Sequence, residues 1–176
     1  MEEEFLVIAV TPPYEYPGEA ERINDMIANR TVNFVHIRKP DYSAAEIERL
    51  IKGIEHKFHP HLKLHDHFEL IDKYNLGGVH LNSRNTIAPK GASTVSKSFH
   101  SLEELEDVDT FEYFFISPIF DSISKSGYKS HFDFDTLSKK IKGKKAIALG
   151  GVTPLKFDYL KSIGFKGGAL LGYFFP

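Results

Sequence analysis

The chain has 176 residues, 41% of them hydrophobic with 15 Phe and 8 Tyr, enough to fill one domain-sized core. Its 22 Lys and Arg against 24 Asp and Glu give a formal charge of -2, which argues against a broad footprint for nucleic acid or an anionic membrane surface. Cys is absent, which excludes disulfides, thiolate catalysis and Cys-held zinc or iron–sulfur clusters. No apolar run reaches the roughly 18 residues of a membrane span, and Met-Glu-Glu-Glu lacks the basic start of a secretory signal. A soluble, cytoplasmic protein with a single domain over 1–176 is expected.

Short apolar runs alternate with amphipathic ones along the whole chain. Phe5-Leu-Val-Ile-Ala-Val10 reads as a strand stopped by Pro12-Pro13, and 18–29 as a helix with Ala20, Ile23, Met26 and Ile27 at helical spacing. A second strand over 33–38 is closed by Pro40. Ser43-Ala-Ala-Glu46 then fits a capping box, opening a helix with Ile47, Leu50, Ile51 and Ile54 on one face. The pattern continues with strands at 61–65 and 78–81 around a helix at 68–74, then a polar loop and a strand at 94–99. Ser101-Leu-Glu-Glu104 predicts a second capping box. Strands follow at 112–117 and 145–149 around a helix at 134–141. Thr153-Pro154 starts a helix to 163 that ends at Gly164, and 168–171 reads as the eighth strand.

Eight strands alternating with helix-sized connections predict an α/β fold, a compact (β/α)8 TIM barrel. Repeats of about 22 residues are tight for a fold that ordinarily takes about 200 residues or more. The chain stops five residues after the eighth strand, so the last helix should be missing, its apolar seat left bare or covered by a partner chain. An open doubly wound sheet is the main alternative.

Residues two apart on a strand share a face, and barrel enzymes place their chemistry where strands end. His36 and Arg38, Lys63 and His65 with Asp66 beyond them, His80 and Asn82, and Ser96, Ser98 and His100 each recur on one face of successive strands. Ser117 ends the sixth strand and Gly150-Gly151 the seventh, while Gly168, Leu170 and Gly172 mark the eighth. Buried polar groups are costly unless paired, so this face reads as a ligand pocket. The glycine pair reads either as a tight turn or as a place where backbone N–H groups reach a phosphate. The segment from Asp121 to Lys125 could close over an anion or be plain surface loop. His56, His59, His61, His65 and His67 crowd together, but at no metal-ligand spacing.

The segments Phe34-Val-His-Ile-Arg38, Gly78-Val-His-Leu81, Ser98-Phe-His-Ser-Leu-Glu-Glu104, Ser117-Pro-Ile-Phe120 with Ser122, Ser124 and Lys125, and Ala148-Leu-Gly-Gly-Val-Thr-Pro154 together resemble the thiamine-phosphate synthase/TenI family over essentially the whole chain. The synthase joins a pyrimidine diphosphate to thiazole phosphate with magnesium. Its Gln-x-Arg-x-Lys motif falls here on His36, Arg38 and Pro40. Its Asn-Asp falls on His65-Asp66, and its second magnesium carboxylate on Asn85, next to Arg84. Hard cations prefer charged oxygens, so these departures should weaken magnesium binding.

The TenI-type branch, a thiazole tautomerase needing no metal, is the closer resemblance through Val35-His-Ile-Arg38 and Ser98-Phe-His100-Ser-Leu-Glu-Glu104. It implies His100 as the catalytic proton carrier, suited by imidazole's ordinary pKa of about 6.5. It implies substrate contacts from His36, Arg38, His65, Asp66, His80, Ser98, Ser122, Ser124 and Lys125, with Arg38 forking onto a ring carboxylate. A phosphate would sit on Gly150, Gly151, Leu171 and Gly172. The expected partner is a small thiazole phosphate, with no nucleic acid or membrane, no cofactor and no metal, and a homo-oligomer by family habit. The alternatives are a magnesium-dependent thiamine-phosphate synthase using Arg38, Asp66 and Lys125, and a non-catalytic barrel that binds thiazole or thiamine phosphates and regulates a partner.

Overall fold

The structure, a computed structural model, describes residues 3–121 and 130–176. Strands β1 (Leu6–Val10), β2 (Phe34–Ile37), β3 (Leu62–Leu64), β4 (Gly78–Leu81), β5 (Val95–Phe99), β6 (Tyr113–Ile116), β7 (Ala146–Leu149) and β8 (Gly167–Leu170) pair in chain order as a closed barrel. The open-sheet alternative is thereby excluded. Helices α1 (Glu19–Ala28), α2 (Ala44–Gly53), α3 (Leu70–Tyr74), α4 (Phe134–Ile141) and α5 (Phe157–Ile163) alternate with the strands. No helix joins β4 to β5, a single 3-10 turn at Val108–Thr110 stands between β5 and β6, and no helix follows β8 among the described residues. Among these helices none is long and apolar enough to cross a membrane.

The chain divides into two compact units, one of Ala9–Val95 with Phe175, the other of Ser96–Phe174, Pro176 and the described part of Met1–Ile8. In the first, register pairs Val35 with Leu62, and Ile37 with Leu64 and then Val79; all five side chains are buried and apolar, the face that barrel helices cover. The alternate row pairs His36 with Lys63 and Lys63 with Gly78, and continues two residues on to Arg38, His65 and His80. Thr11 extends the ladder beyond β1: its N–H donates to the His36 carbonyl at 3.0 Å, and its hydroxyl accepts the Arg38 N–H at 2.9 Å. Helix α2 starts on the expected box, the Ser43 hydroxyl accepting the Glu46 N–H at 3.3 Å while the Glu46 carboxylate accepts the Ser43 N–H at 2.7 Å.

In the second unit, Phe99, Ile116, Ala148 and Gly168 form one row. A Cβ on Gly168 would meet Val152 and Phe157 at 3.0 and 3.1 Å, so this row faces the helices. Ser98, Phe115, Ile147 and Gly167 form the interior row. The eighth strand thus runs one residue ahead of the expected 168–171, and Gly168 and Leu170 face outward rather than joining the polar face. Two other expectations are corrected. Ser101–Glu104 opens no helix: the Glu104 carboxylate instead accepts the His100 N–H at 3.3 Å and the Ser101 hydroxyl at 3.2 Å. The acidic run Glu103, Glu104, Glu106, Asp107 disfavours helix through like-charge neighbours, and Asp107 turns left-handed at φ 54°. The helix expected from Thr153 splits into a 3-10 turn at Pro154–Lys156 and then α5, and the Thr153 side chain caps neither.

Beside β2, Lys39 is fully buried, its ammonium 2.8 Å from the Glu19 carboxylate and donating to the Tyr14 carbonyl at 2.6 Å. Burial pushes the Glu19 carboxyl up and the Lys39 ammonium down from their ordinary values, each opposed by the other's charge. The pair pins the start of α1 to the exit of β2. Lys39→Met should cost about 3–5 kcal/mol in urea unfolding by stranding a buried carboxylate, and adding Glu19→Leu should recover most of it. A loss below about 1 kcal/mol would show that the pair is not the lock described.

Candidate functional site

In the second unit the interior rows lead from Ser98 to His100, from Phe115 to Ser117, from Ile147 to Leu149 and from Gly167 to Ala169, so His100 and Ser117 leave adjacent strands at one level. His100 is exposed, yet held on three sides. Its N–H goes to Glu104, its carbonyl lies 2.9 Å from His131 Nε2, and its Nδ1 lies 3.2 Å from the Ser117 carbonyl and 3.3 Å from the Ser117 hydroxyl. A carbonyl can only accept, so its hydrogen bond puts the proton on Nδ1 and the lone pair on Nε2. The imidazole is thereby set up as a base through Nε2.

One residue past Leu149 begins the glycine pair, with φ of 97° at Gly150 and 61° at Gly151. A Cβ on Gly150 would stand 2.8 Å from Pro118 Cα, and one on Gly151 only 2.3 Å from the Asp121 carbonyl oxygen. Both the left-handed backbone and the close chain from 118 to 121 therefore require glycine here. The Phe120 N–H donates to the Gly150 carbonyl at 3.0 Å, and Lys156 Nζ to the Gly151 carbonyl at 2.7 Å. With these carbonyls engaged, the turn can offer N–H groups to an anion. Leu171 and Gly172 extend β8 beyond the registered pair Leu149–Ala169 and are half-buried. Ser122, Ser124 and Lys125 lie outside the described residues.

In the first unit Arg38 is half-buried at the end of β2. Below and beside it the interior is made of three imidazoles. His36 Nδ1 and His65 Nε2 are 2.9 Å apart, His65 and His80 stack at 4.3 Å between centroids, and His36 meets each edge-on at 5.1 Å. All three are buried. Burial holds the His80 imidazole down at about 3. It also lowers His36 and His65 well below the ordinary range, with further lowering from neighbouring rings and from Lys63 near His36 and Arg38 and Arg84 near His65. The three rings are neutral at neutral pH. His36, His65 and His80 thus line the interior rather than present an open substrate surface.

Asp66, by contrast, is committed. Arg84 grips it with both arms of its fork, Nε to Oδ1 at 3.0 Å and Nη2 to Oδ2 at 3.2 Å, and the Asn85 amide donates to Oδ1 at 2.9 Å. Asn82 and Asn85 also donate to the His65 carbonyl at 2.6 and 3.1 Å, tying this turn to the end of β3. A cavity of about 640 Å³ opens beside the pair, lined by Pro40, Tyr42, Ser43, His67, Glu69 and Arg84 among others. The crowded histidines of the sequence disperse. His59 lies against carbonyls alone, Nδ1 at 3.0 Å from that of Tyr74 and Nε2 at 3.2 and 3.1 Å from those of Ile51 and Ile54, His61 lies 2.9 Å from the Asn33 carbonyl and His67 2.6 Å from the Tyr42 carbonyl. What the sequence reading missed are the groups that orient His100, namely Glu104 and His131. The motif Ser-Leu-Glu-Glu carried Glu104 in view, but as a helix signal; His131 had no signal at all.

The sequence model of one family, described as thiamine monophosphate synthase, matches residues 7–173. A thiamine phosphate pyrophosphorylase from Bacteroides thetaiotaomicron is 33% identical, with a TM-score of 0.81 over 95% of this chain and 83% of that one. A thiamine phosphate pyrophosphorylase from Pyrococcus furiosus, 14% identical, shares the fold at a TM-score of 0.76 over 97% and 87% of the two chains. The (S)-3-O-geranylgeranylglyceryl phosphate synthase of Thermoplasma acidophilum, 11% identical, shares it at 0.67 over 97% and 86%. No curated protein matches.

The buried rings make stability depend on pH. Each has a folded pKa below its unfolded value of about 6.5, so the unfolded chain takes up the proton first as pH falls. Stability is therefore fully present above about pH 6.5 and is lost toward the folded values, by up to about 1.4 kcal/mol per pH unit for each ring. Urea unfolding of metal-free protein from pH 7.5 to 4.5 should show this decline, flattened in His80→Gln. An equal slope in the variant would mean that His80 does not titrate as a buried neutral ring.

Proposed function

The chain belongs to the thiamine monophosphate synthase family, and within it we propose that it is a thiazole tautomerase, aromatising a carboxythiazole phosphate tautomer by proton transfer through His100. One observation carries this reading. The strand end that bears His100 holds an imidazole with Nδ1 on the Ser117 carbonyl and Nε2 left for chemistry, whereas the carboxylate a magnesium-dependent reaction would use, Asp66, is taken by Arg84 and Asn85. The residues around Asp66 do not fit magnesium. A hard cation asks for several charged oxygens; the second carboxylate position of the synthase motif is Asn85, and the guanidinium already supplies the compensating charge. No step is routed through a metal.

The reaction needs one proton taken from ring C2 and one delivered to the exocyclic carbon. His100 Nε2 takes the first and, as imidazolium, returns it at the second position; no atom is gained or lost, and aromatisation supplies the drive. The Ser117 carbonyl steadies the imidazolium through Nδ1–H. The turn at Gly150 and Gly151, with Leu171 and Gly172, offers N–H groups to the substrate phosphate. His36, His65 and His80 pack on one another as the support of their own strands.

The named activity of the Bacteroides thetaiotaomicron protein favours a second reading, thiamine-phosphate synthesis with Arg38, Asp66 and Lys125. One experiment separates the two. Metal-free protein is offered the carboxythiazole phosphate tautomer, and the aromatic product is followed by chromatography. Wild type should convert it and His100→Ala should be about 10²- to 10⁴-fold slower. No conversion above background, or an unaffected variant, would overturn the tautomerase. Thiamine phosphate formed from hydroxymethylpyrimidine diphosphate, thiazole phosphate and magnesium would establish the synthase instead.

A further inference from the structure

His36, His65 and His80 come from three successive strands and bring one ring nitrogen each to within 4.8 Å of the other two, all of them buried. No other group of three or more His, Asp or Glu among the described residues makes such a cluster. We propose that these three imidazoles form a binding site for one divalent transition-metal ion of the zinc–cobalt–nickel–copper class, among the strands of the Ala9–Val95 unit.

The donor set selects the ion. Three neutral nitrogens with no carboxylate among them are a poor home for magnesium or calcium, which ask for oxygen, and a good one for borderline ions that bind imidazole. The rings need not lose a proton to ligate, because burial already keeps them neutral. Three protein nitrogens leave a fourth tetrahedral position for water. Two features of the metal-free arrangement must change. The ligand nitrogens must close to about 3.3 Å from one another to meet metal–nitrogen bonds of about 2.0–2.1 Å. The stacked pair, His65 and His80, is inclined by only 19°, so one ring has to turn about its Cβ–Cγ bond, and the His36–His65 hydrogen bond gives way with a shift of tautomer.

The nearest cations set the cost. Lys63 lies on the same interior face, near enough for its charge to lower the His36 imidazole; its ammonium donates to the Gly77 carbonyl at 3.0 Å and to the Thr94 hydroxyl, neutral partners that leave the charge in place. Arg84 is neutralised by Asp66 at 3.0 Å. Arg38 is the remaining charge beside His65. The ion's charge is thus unneutralised by its ligands and adds to those of Lys63 and Arg38, which favours an ion that binds imidazole tightly.

The test uses full-length protein carrying no histidine tag, stripped with chelator and titrated with Co2+. Visible d–d absorption of tetrahedral intensity, saturating at about one ion per chain, is expected in wild type and in His56→Gln, which alters an exposed ring. His80→Gln should lose the band and the stoichiometric ion. Absence of binding in wild type would overturn the proposal, as would a band unchanged in a folded His80→Gln. Should that variant fail to fold, cobalt-edge X-ray absorption of the wild-type complex decides: three imidazole scatterers support the site, and one or none refute it.

Discussion

A strand inside a parallel barrel has two buried faces of unlike character, and the strict alternation between them governs this protein. On one face Val35, Ile37, Leu62, Leu64 and Val79, or Phe99, Ile116 and Ala148, meet helices and are apolar. The other face turns inward, where its side chains are shut off from water. A polar group placed there must be satisfied by its neighbours, since the desolvation of an unpaired one costs more than most single contacts return. His36, His65 and His80 answer that demand with one another and Lys63 with the Gly77 carbonyl and the Thr94 hydroxyl, while Arg38 continues the inward row past the end of β2.

The same alternation explains why chemistry collects at strand ends. One step beyond the last packed row the side chain is still aimed inward but is no longer enclosed. His100 is such a residue: Ser98, two positions before it, is half-buried on the interior face, while the His100 ring is exposed and yet anchored by Ser117, Glu104 and the chain at His131. Anchoring on a carbonyl fixes the tautomer, which turns a surface histidine into an oriented base. At the end of β7 two glycines do the complementary work, since no side chain fits between them and Pro118 or Asp121.

Charge pairing then separates family resemblance from family chemistry. Asp66 stands in a position the resemblance associates with magnesium, but its two oxygens meet a planar guanidinium fork that matches a carboxylate in both distance and angle. Lys39 is likewise unavailable: adjacent to the place where the synthase motif has lysine, it is buried against Glu19 and the Tyr14 carbonyl. Both cases show a charged side chain whose partner, rather than its identity, decides what it can do.

The sequence by itself determined the order and kind of nearly every element, because strand and helix periods are local: β4 and α4 fall on their expected residues, and the Ser43 box forms as read. It also determined which residues share a face on β2 to β5. It failed where local signals compete, as at Ser101–Glu104, where an acidic run and a left-handed Asp107 override a capping pattern, and at β8, where a run of glycines gives no periodicity to fix parity. What only the tertiary structure decided is who meets whom. The histidines dense in sequence, from His56 to His67, scatter to separate carbonyls, while His36, His65 and His80 converge across strands, His36 and His65 from positions 29 residues apart. Spacing along a chain cannot reveal such a meeting, because it is created by the register between strands, and register is set only when the barrel closes.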